Sequence, residues 1–249
     1  MLQLFSAGFN IPNPRKAQRG GEDSYLVSSP TNSTIAVADG VGGWESKGVN
    51  PRAFADEILT KTYELIEKGV KDPKYAISSS FPHLSSVGSA TFCMGKLDKD
   101  GIFRVANIGD SGFIVIRDGN ILIESSEHQH DFNYPYQLGI GLDGLPHGED
   151  RPSDAEVYRM ELERGDIIVM GTDGLLDNLW PKQILSYIED NPCNPKELSK
   201  GLATLAYEES QKKSNYVPFF QKAKEAKKPF STYRGGKEDD ISVIVSVVD

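Results

Sequence analysis

Short runs rich in β-branched residues recur along this 249-residue chain, and most are bounded by glycine, asparagine, aspartate or serine. A run of this kind is typical of a β-strand. Two of the connecting segments, LDKDG at 97–101 and IRDGN at 116–120, contain the Asp-Gly pair that suits a tight hairpin. The sequence therefore predicts a large antiparallel β system built from the runs LQLFSAGFNI, SYLVSS, STIAVAD, SATFCMGKL, IFRVANIG, GFIVIRDG, NILIESS, VYRMEL, DIIVMGT and ISVIVSVV.

Three helices are predicted, over 51–68, about 181–190 and about 195–210, because each begins at a proline and carries one apolar face. Such helices cover a sheet from outside. Most strand-like runs are apolar on both faces, which suits two sheets packed together. We therefore expect one α+β domain over 1–249, a four-layer αββα sandwich of two mostly antiparallel sheets flanked by helices. The Lys-rich stretch 211–232 is predicted to be a surface loop or helix-loop.

Composition excludes several classes of protein. The chain has 36 acidic and 27 basic residues and a net charge of −9, which argues against nucleic acid as its main partner. No apolar run approaches the roughly 20 residues of a membrane span. The two cysteines, Cys93 and Cys193, are too few for a secreted disulfide framework, and we expect two reduced thiols inside a cell.

Acidic residues stand at the ends of five strand-like runs, each beside glycine or another small residue. One Asp-Gly pair alone is ordinary turn chemistry. Five such sites that met in space would repel and raise one another's pKa values unless divalent cations neutralised them. Oxygen ligands without His or Cys favour Mg²⁺ or Mn²⁺ over Zn²⁺. The acids concerned are Glu22 and Asp23, Asp39, Asp110, Asp173, and Asp239 and Asp240.

The stretch VADGVGGW at 37–44 indicates how such a metal site would be arranged. Glycine leaves its carbonyl accessible and leaves room beside a metal. We expect Asp39 to bridge two metals, Gly40 to offer its carbonyl, and Gly42 and Gly43 to keep the floor of the site open.

The blocks GED, VADGVGGW, GSAT, NIGDSGFIVIRDG, GTDGLLDN and GGKEDDISV occur in the order of the metal-dependent protein phosphatase family, also called type 2C. The resemblance spans about residues 3–248, and with EHQHDFNYPYQL it looks most like a mitochondrial and plastid branch of that family. It implies an αββα sandwich with a binuclear Mn²⁺ or Mg²⁺ centre between the sheets. The site residues implied in this chain are Glu22, Asp39, Gly40, Asp173 and Asp239 as metal ligands, Asp23 holding a water on the metal, and Asp110 with Asp173 at a weaker third metal site.

The chain departs from the family pattern at two points. Val41 stands where many members have a histidine that acts as general acid, so His128 or His130 could substitute, or water could protonate the leaving group. The phosphate-binding arginine usually lies slightly further upstream of the acidic pair, which makes Arg19 the nearest candidate and Arg15 the alternative.

The resemblance implies hydrolysis of phosphoserine and phosphothreonine in proteins by a metal-activated water. The expected partners are phosphorylated proteins, and the expected location is intracellular and mitochondrial, with the cytoplasm as alternative. Two other functions stay open: a metal-dependent phosphoester hydrolase of small molecules, and a pseudophosphatase that only binds phosphoproteins.

Overall fold

Ten strands form two five-stranded antiparallel sheets in a computed structural model that describes residues 1–192, 194–213, 216–226, 232 and 234–249. Elements are numbered along the chain. Sheet I has the order β12 (Glu156–Glu161), β6 (Ile102–Ile108), β5 (Phe92–Leu97), β3 (Thr34–Asp39) and β2 (Asp23–Val27). Sheet II has the order β1 (Leu4–Ile11), β14 (Ile241–Val248), β13 (Ile167–Gly171), β7 (Gly112–Arg117) and β8 (Asn120–Glu124).

Smaller elements complete the fold. Two short pairs lie outside the main sheets, β4 (Gly88–Ala90) with β11 (Leu138–Ile140), and β9 (Gln129–Asp131) with β10 (Tyr134–Pro135). The helices are α1 (Pro51–Glu67), α2 (Pro73–Ser80), α3 (Asp173–Leu176), α4 (Pro181–Asp190), α5 (Pro195–Ser210) and α6 (Pro218–Glu225). Within the described ranges, no helix is both long enough and apolar enough to cross a bilayer.

Three apolar layers hold the sandwich together, because the strands bury side chains on both faces. Ile35 and Val37 of β3 pack between the sheets with Phe113 of β7, whereas the alternating residues Ala36 and Ala38 face α1 and α2. On the far side, alternate residues of β7, β13 and β14 pack against α4 and α5. This arrangement confirms the predicted four-layer αββα sandwich.

The local signals were accurate where a cap or turn fixed them. The three predicted helices occur as α1, α4 and α5, and the Asn50 and Asn194 side chains accept backbone amides at the starts of α1 and α5. The Asp-Gly hairpin between β7 and β8 places Asp118 at φ 49° and Gly119 at φ 69°, the left-handed region such a turn requires.

Other elements were not predicted. The helices α2 and α3 were missed because each is short, with 8 and 4 residues, and short helices carry little periodic signal. The stretch 211–232, predicted to be a surface loop or helix-loop, does contain a helix, α6, while 214–215, 227–231 and 233 lie outside the described residues. Cys93 is buried and free, and burial raises the pKa of its thiol. Cys193 also lies outside the described residues.

The core between the sheets gives a first prediction. A methyl group on Gly95 of β5 would overlap the Phe103 ring, which is fully buried. We expect Gly95→Ala to lower the free energy of unfolding by about 1–3 kcal/mol. In a Phe103→Leu background the same substitution should cost little, because the ring is gone and alanine loses less chain entropy than glycine on folding. Urea unfolding of the four proteins of this double-mutant cycle measures the difference, and equal costs in both backgrounds would contradict the packing argument.

Candidate metal centre

Acids from both sheets come together where their strands end. Asp39 closes β3 and lies directly opposite Asp23, which opens β2. Thr172, just after β13, donates from Oγ1 to Asp23 Oδ2 over 2.7 Å and so ties sheet II to sheet I. Carboxylates from the segments before β7, after β13 and before β14 also act on Asp39. We call this group the acidic cluster; its members are Glu22, Asp23, Asp39, Asp110, Asp173 and Asp239.

Close backbone approach explains two of the glycines beside Asp39. A Cβ on Gly40 would lie 2.8 Å from the Glu22 and Pro51 carbonyl oxygens, and a Cβ on Gly42 would lie 2.9 Å from Glu22 Oε2. Contacts this short exclude any side chain at either position unless the surroundings move. Gly43 has open space around it. The run of glycines therefore lets the chain turn tightly beside the Glu22 carboxylate.

The sheet II side of the cluster is built on a tight turn after β13. Asp173 is the first residue of α3, and a methyl group on the next residue, Gly174, would overlap the carbonyl of Asp240. The side chain of Asp240 accepts the backbone amides of Asn13 at 2.7 Å and Glu22 at 2.8 Å. Asp240 therefore positions the segment that carries Glu22, whereas its neighbour Asp239 is itself a member of the acidic cluster.

Burial dominates the electrostatics of the cluster. Desolvation raises the pKa of Asp39 and of Asp173 well above their ordinary values, and neighbouring carboxylates raise them further. Burial also raises the pKa of Asp23 to about 7 and that of Asp110 to about 6. Since each shift disfavours the ionised form, the folded chain strongly favours added positive charge at this place.

Two lysines supply part of that charge. Lys16 Nζ forms an ion pair with Glu22 and lies 3.3 Å from Asp239 Oδ1. Lys237 Nζ forms an ion pair with Asp173 and lies 3.5 Å from Asp239 Oδ2. Burial lowers the pKa of each lysine, but the surrounding carboxylates outweigh it and raise both pKa values above the ordinary range. Both ammonium groups are thus cations held among the acids.

Sequence reasoning missed these lysines and one further acid. Asp177, in the GTDGLLDN block, is buried, accepts from Lys222 Nζ at 2.8 Å and Lys237 Nζ at 3.1 Å, and has a lowered pKa because these cations outweigh its desolvation. The sequence signal for these lysines was weak, because only their closeness along the chain to predicted site acids distinguishes Lys16 and Lys237 from surface lysines.

The donor set fits hard divalent cations. Among the described residues, one buried carboxylate oxygen of each of Glu22, Asp23, Asp110 and Asp173 has no hydrogen-bond partner; in Glu22 this is Oε1, because Oε2 faces Lys16. Unpaired buried carboxylate oxygens of this kind suit Mg²⁺ or Mn²⁺. In the described part of the chain, however, no three His, Cys, Asp or Glu side chains are already arranged to hold a metal ion. The carboxylates would therefore have to regroup around an ion, with Lys16 and Lys237 giving up their contacts.

The predicted phosphate-binding arginines lie at the rim. Arg19 forms an ion pair with Glu45 and its side chain is 57% exposed. Arg15 lies 3.6 Å from Glu238 and is 83% exposed. Neither guanidinium contacts a member of the acidic cluster, and Lys16 is the basic residue from this segment that does.

Of the general-acid candidates, His130 lines a cleft together with Val41, the residue after Gly40. His128 stacks on Tyr136 with ring centroids 3.6 Å apart, and its Nδ1 is buried without a hydrogen-bond partner. His128 is therefore a packing residue, whereas His130 faces the cleft that Val41 also lines.

Comparison with known proteins decides the family. Residues 29–249 match the family model described as Stage II sporulation protein E (SpoIIE). The chain is 35% identical to probable protein phosphatase 2C 55 of Arabidopsis thaliana over 99% of this chain and 52% of that protein. It is 37% identical to probable protein phosphatase 2C 1 of Oryza sativa subsp. japonica over 96% of this chain and 73% of that protein. The chain belongs to the protein phosphatase 2C family. The family assignment made from the sequence blocks is confirmed.

Two phosphatases of known structure share the fold. The photosystem II phosphatase PBCP is 36% identical, with a TM-score of 0.89 and coverage of 99% of both chains. The catalytic domain of the phosphatase PstP, solved in complex with two manganese ions, is 18% identical with a TM-score of 0.68 and covers 100% of this chain and 99% of its own. The chain spans about half the length of the first Arabidopsis relative, 52%.

Burial of Asp23 predicts how stability depends on pH in the metal-free protein. The pKa of Asp23 is about 7 in the folded chain, above the ordinary 3.8. The folded state therefore binds more protons than the unfolded state, and the free energy of unfolding falls as the pH rises from about 4 to 7. Asp23→Asn removes this loss, which amounts to roughly 4 kcal/mol above pH 7 as an upper bound. Urea unfolding in EDTA at pH 4 and pH 8 should show a stabilisation at pH 8 that vanishes at pH 4; an equal effect at both values would contradict the assignment.

Proposed function

We propose that this chain is a protein serine/threonine phosphatase that depends on two Mn²⁺ or Mg²⁺ ions. The observation that carries the proposal is the acidic cluster, in which buried carboxylates with unpaired oxygens converge from both sheets. Membership of the protein phosphatase 2C family connects this cluster with phosphoester hydrolysis. The ions would activate water as the nucleophile and neutralise charge on the phosphoryl group.

The arrangement supports a division of roles among the cluster. Asp39, at the centre between the two sheets, would bridge the ions, with the Gly40 carbonyl beside it. Glu22 would bind one ion and Asp173 and Asp239 the other. Asp23, held by Thr172, would accept a hydrogen bond from water at the first ion. Asp110 with Asp173 would hold a weaker third ion.

Arg19 remains our proposed phosphate-binding residue, because its ion pair with Glu45 brings it close to the cluster, and the charge of Glu45 acts on Glu22.

We propose one phosphatase domain over 1–249, since the cluster draws on residues from Glu22 to Asp239 and the PBCP structure matches 99% of both chains. The mitochondrial location suggested by the branch resemblance stays a prediction.

The proposal is tested by assaying the purified chain with phosphoserine peptides, phosphothreonine peptides and sugar phosphates, each with Mn²⁺ and with EDTA. We expect hydrolysis of the peptides that requires Mn²⁺. Hydrolysis of sugar phosphates alone would indicate a small-molecule phosphoester hydrolase. Binding of phosphopeptide without turnover in Mn²⁺ would indicate a pseudophosphatase.

Asp173→Asn should lower phosphopeptide turnover by at least about 100-fold while the protein stays folded, because the amide weakens the hold on the ions and on the charge they supply. Turnover at saturating Mn²⁺ and circular dichroism measure the two effects. The matched control is Asp100→Asn, in the exposed β5–β6 turn, which should keep normal turnover. Normal kinetics of Asp173→Asn at saturating Mn²⁺ would remove Asp173 from the proposed ligands.

Lys237→Met tests whether the buried ammonium competes with metal. Without Lys237 the carboxylates repel more strongly, so we expect the metal-free protein to unfold at a lower temperature and Mn²⁺ to bind more tightly, by about tenfold, which is roughly 1.4 kcal/mol. Thermal unfolding in EDTA and the Mn²⁺ electron paramagnetic resonance signal report these quantities. Lys182→Met, on the exposed side of α4, is the control. Weaker Mn²⁺ binding by Lys237→Met would show that the lysine does not oppose the ions.

A further inference from the structure

A cleft whose wall includes Val41, two residues after Asp39, holds a histidine in a fixed orientation. The cleft has a volume of about 600 Å³ and is lined by Val41, Trp44, Ser89, His130 and Asp150, among others. Val41 directly follows Gly40, and its amide donates to the Ser89 carbonyl over 2.9 Å. A substrate bound at the cluster would therefore extend its peptide chain past this wall.

Asp150 and Tyr136 fix the His130 ring. His130 Nε2 lies 2.8 Å from Asp150 Oδ1, and the Asp150 side chain is 8% exposed. The second Asp150 oxygen accepts the Gln137 amide over 3.0 Å. The imidazole stacks on Tyr136 with ring centroids 3.8 Å apart and planes 14° apart. These contacts give the ring one orientation, as a group that must deliver a proton requires.

The bond to Asp150 determines which ring nitrogen is available. A carboxylate accepts hydrogen bonds only, so Nε2 donates to Asp150, and Nδ1 carries the second proton of the imidazolium. The preceding residue in β9, Gln129, donates from Nε2 to Asp110 Oδ2 over 3.1 Å. The same short strand thus touches the acidic cluster with one residue and lines the cleft with the next.

Resting on the proposed function, we propose that His130, positioned by Asp150, donates the proton to the departing serine or threonine oxygen. The phosphorus–oxygen bond breaks, and both electrons stay on the serine or threonine oxygen. That oxygen takes the proton from Nδ1 of protonated His130, while the oxygen of water bonds to phosphorus and releases a proton. Neutral His130 then regains a proton from solvent, so the sum is phosphoester plus water giving alcohol plus phosphate.

Other titratable side chains also surround the cleft and are possible donors by position alone. His147 packs edge-on against Trp44 with ring centroids 4.8 Å apart, and Lys47 Nζ lies 4.3 Å above the same ring. In the described residues the cleft pairs one imidazole with a buried carboxylate, and that imidazole is His130. Among the described residues, the titratable side chains that line the cleft with His130 are Lys47, Tyr134, His147, Glu149 and Asp150, and Tyr136 stacks on the His130 ring.

The test is the dependence of rate on the leaving group in the Mn²⁺-loaded full chain. An alkoxide needs a proton to leave and an aryl oxide does not, and a well-placed general acid contributes roughly 10²–10⁴-fold. His130→Gln keeps a donor for Asp150 but cannot transfer a proton. We expect its turnover of phosphoserine peptide to fall about 100-fold or more, while turnover of p-nitrophenyl phosphate falls less than threefold. Across a series of phosphate monoesters, its rates should depend more steeply on leaving-group acidity.

Three further variants complete the design. Asp150→Asn should shift the ratio of alkyl to aryl turnover in the same direction but less far, because the ring is present and poorly oriented. His147→Gln is the matched control and should leave the ratio unchanged. His130→Asn replaces His130→Gln if the latter does not fold.

An unchanged ratio of alkyl to aryl turnover in the His130 variant would overturn the proposal, and so would an equal loss on both substrates. Either result leaves the proposed function intact, because the wild-type chain would still hydrolyse phosphoesters with Mn²⁺. The proposed function itself fails if the wild-type chain does not hydrolyse phosphoserine peptide in the presence of Mn²⁺.

Discussion

Carboxylates that are buried side by side repel one another, and the strand ends of this fold force six of them into that position. Asp39 and Asp23 are direct cross-strand partners, and Thr172 ties Asp23 to the opposite sheet. Folding the two sheets together therefore requires that the cost of this concentrated negative charge be offset. The glycines, the Asp240 bridge and the lysines around the cluster can all be understood from that requirement.

Without divalent cations, bound protons and lysine side chains offset the negative charge of the acidic cluster. The raised pKa values of Asp23 and Asp39 favour the binding of protons, and Lys16 and Lys237 bring positive charge within contact of Glu22, Asp173 and Asp239. Divalent cations would replace both with a denser charge. The same groups that would be unfavourable in an empty site would thus supply the driving force for binding ions, and we propose that the cleft lined by Val41 places His130 near the departing group.

Local chemistry made much of this predictable from sequence. Asn50 with Pro51 and Asn194 with Pro195 fixed two helix starts, and acids at strand ends beside glycine indicated a cluster before the strands were known to meet. Interactions between distant segments were not predictable. The family resemblance made Arg19 the nearest candidate for binding phosphate, but nothing in the sequence indicated that the short turn Ala17–Arg19 brings Lys16 into contact with the acids. The partner of His130, Asp150, lies 20 residues further along the chain, beyond β10 and β11.

The central claim is that the acidic cluster is a site for two divalent cations, and calorimetric titration of the EDTA-stripped chain with Mn²⁺ tests it most directly. The account predicts saturable binding of two ions per chain, with proton release near neutral pH as the buried carboxylates ionise, and loss of at least one ion in Asp39→Asn. Absence of saturable binding, or the same two ions bound by the Asp39→Asn variant with unchanged affinity, would contradict it.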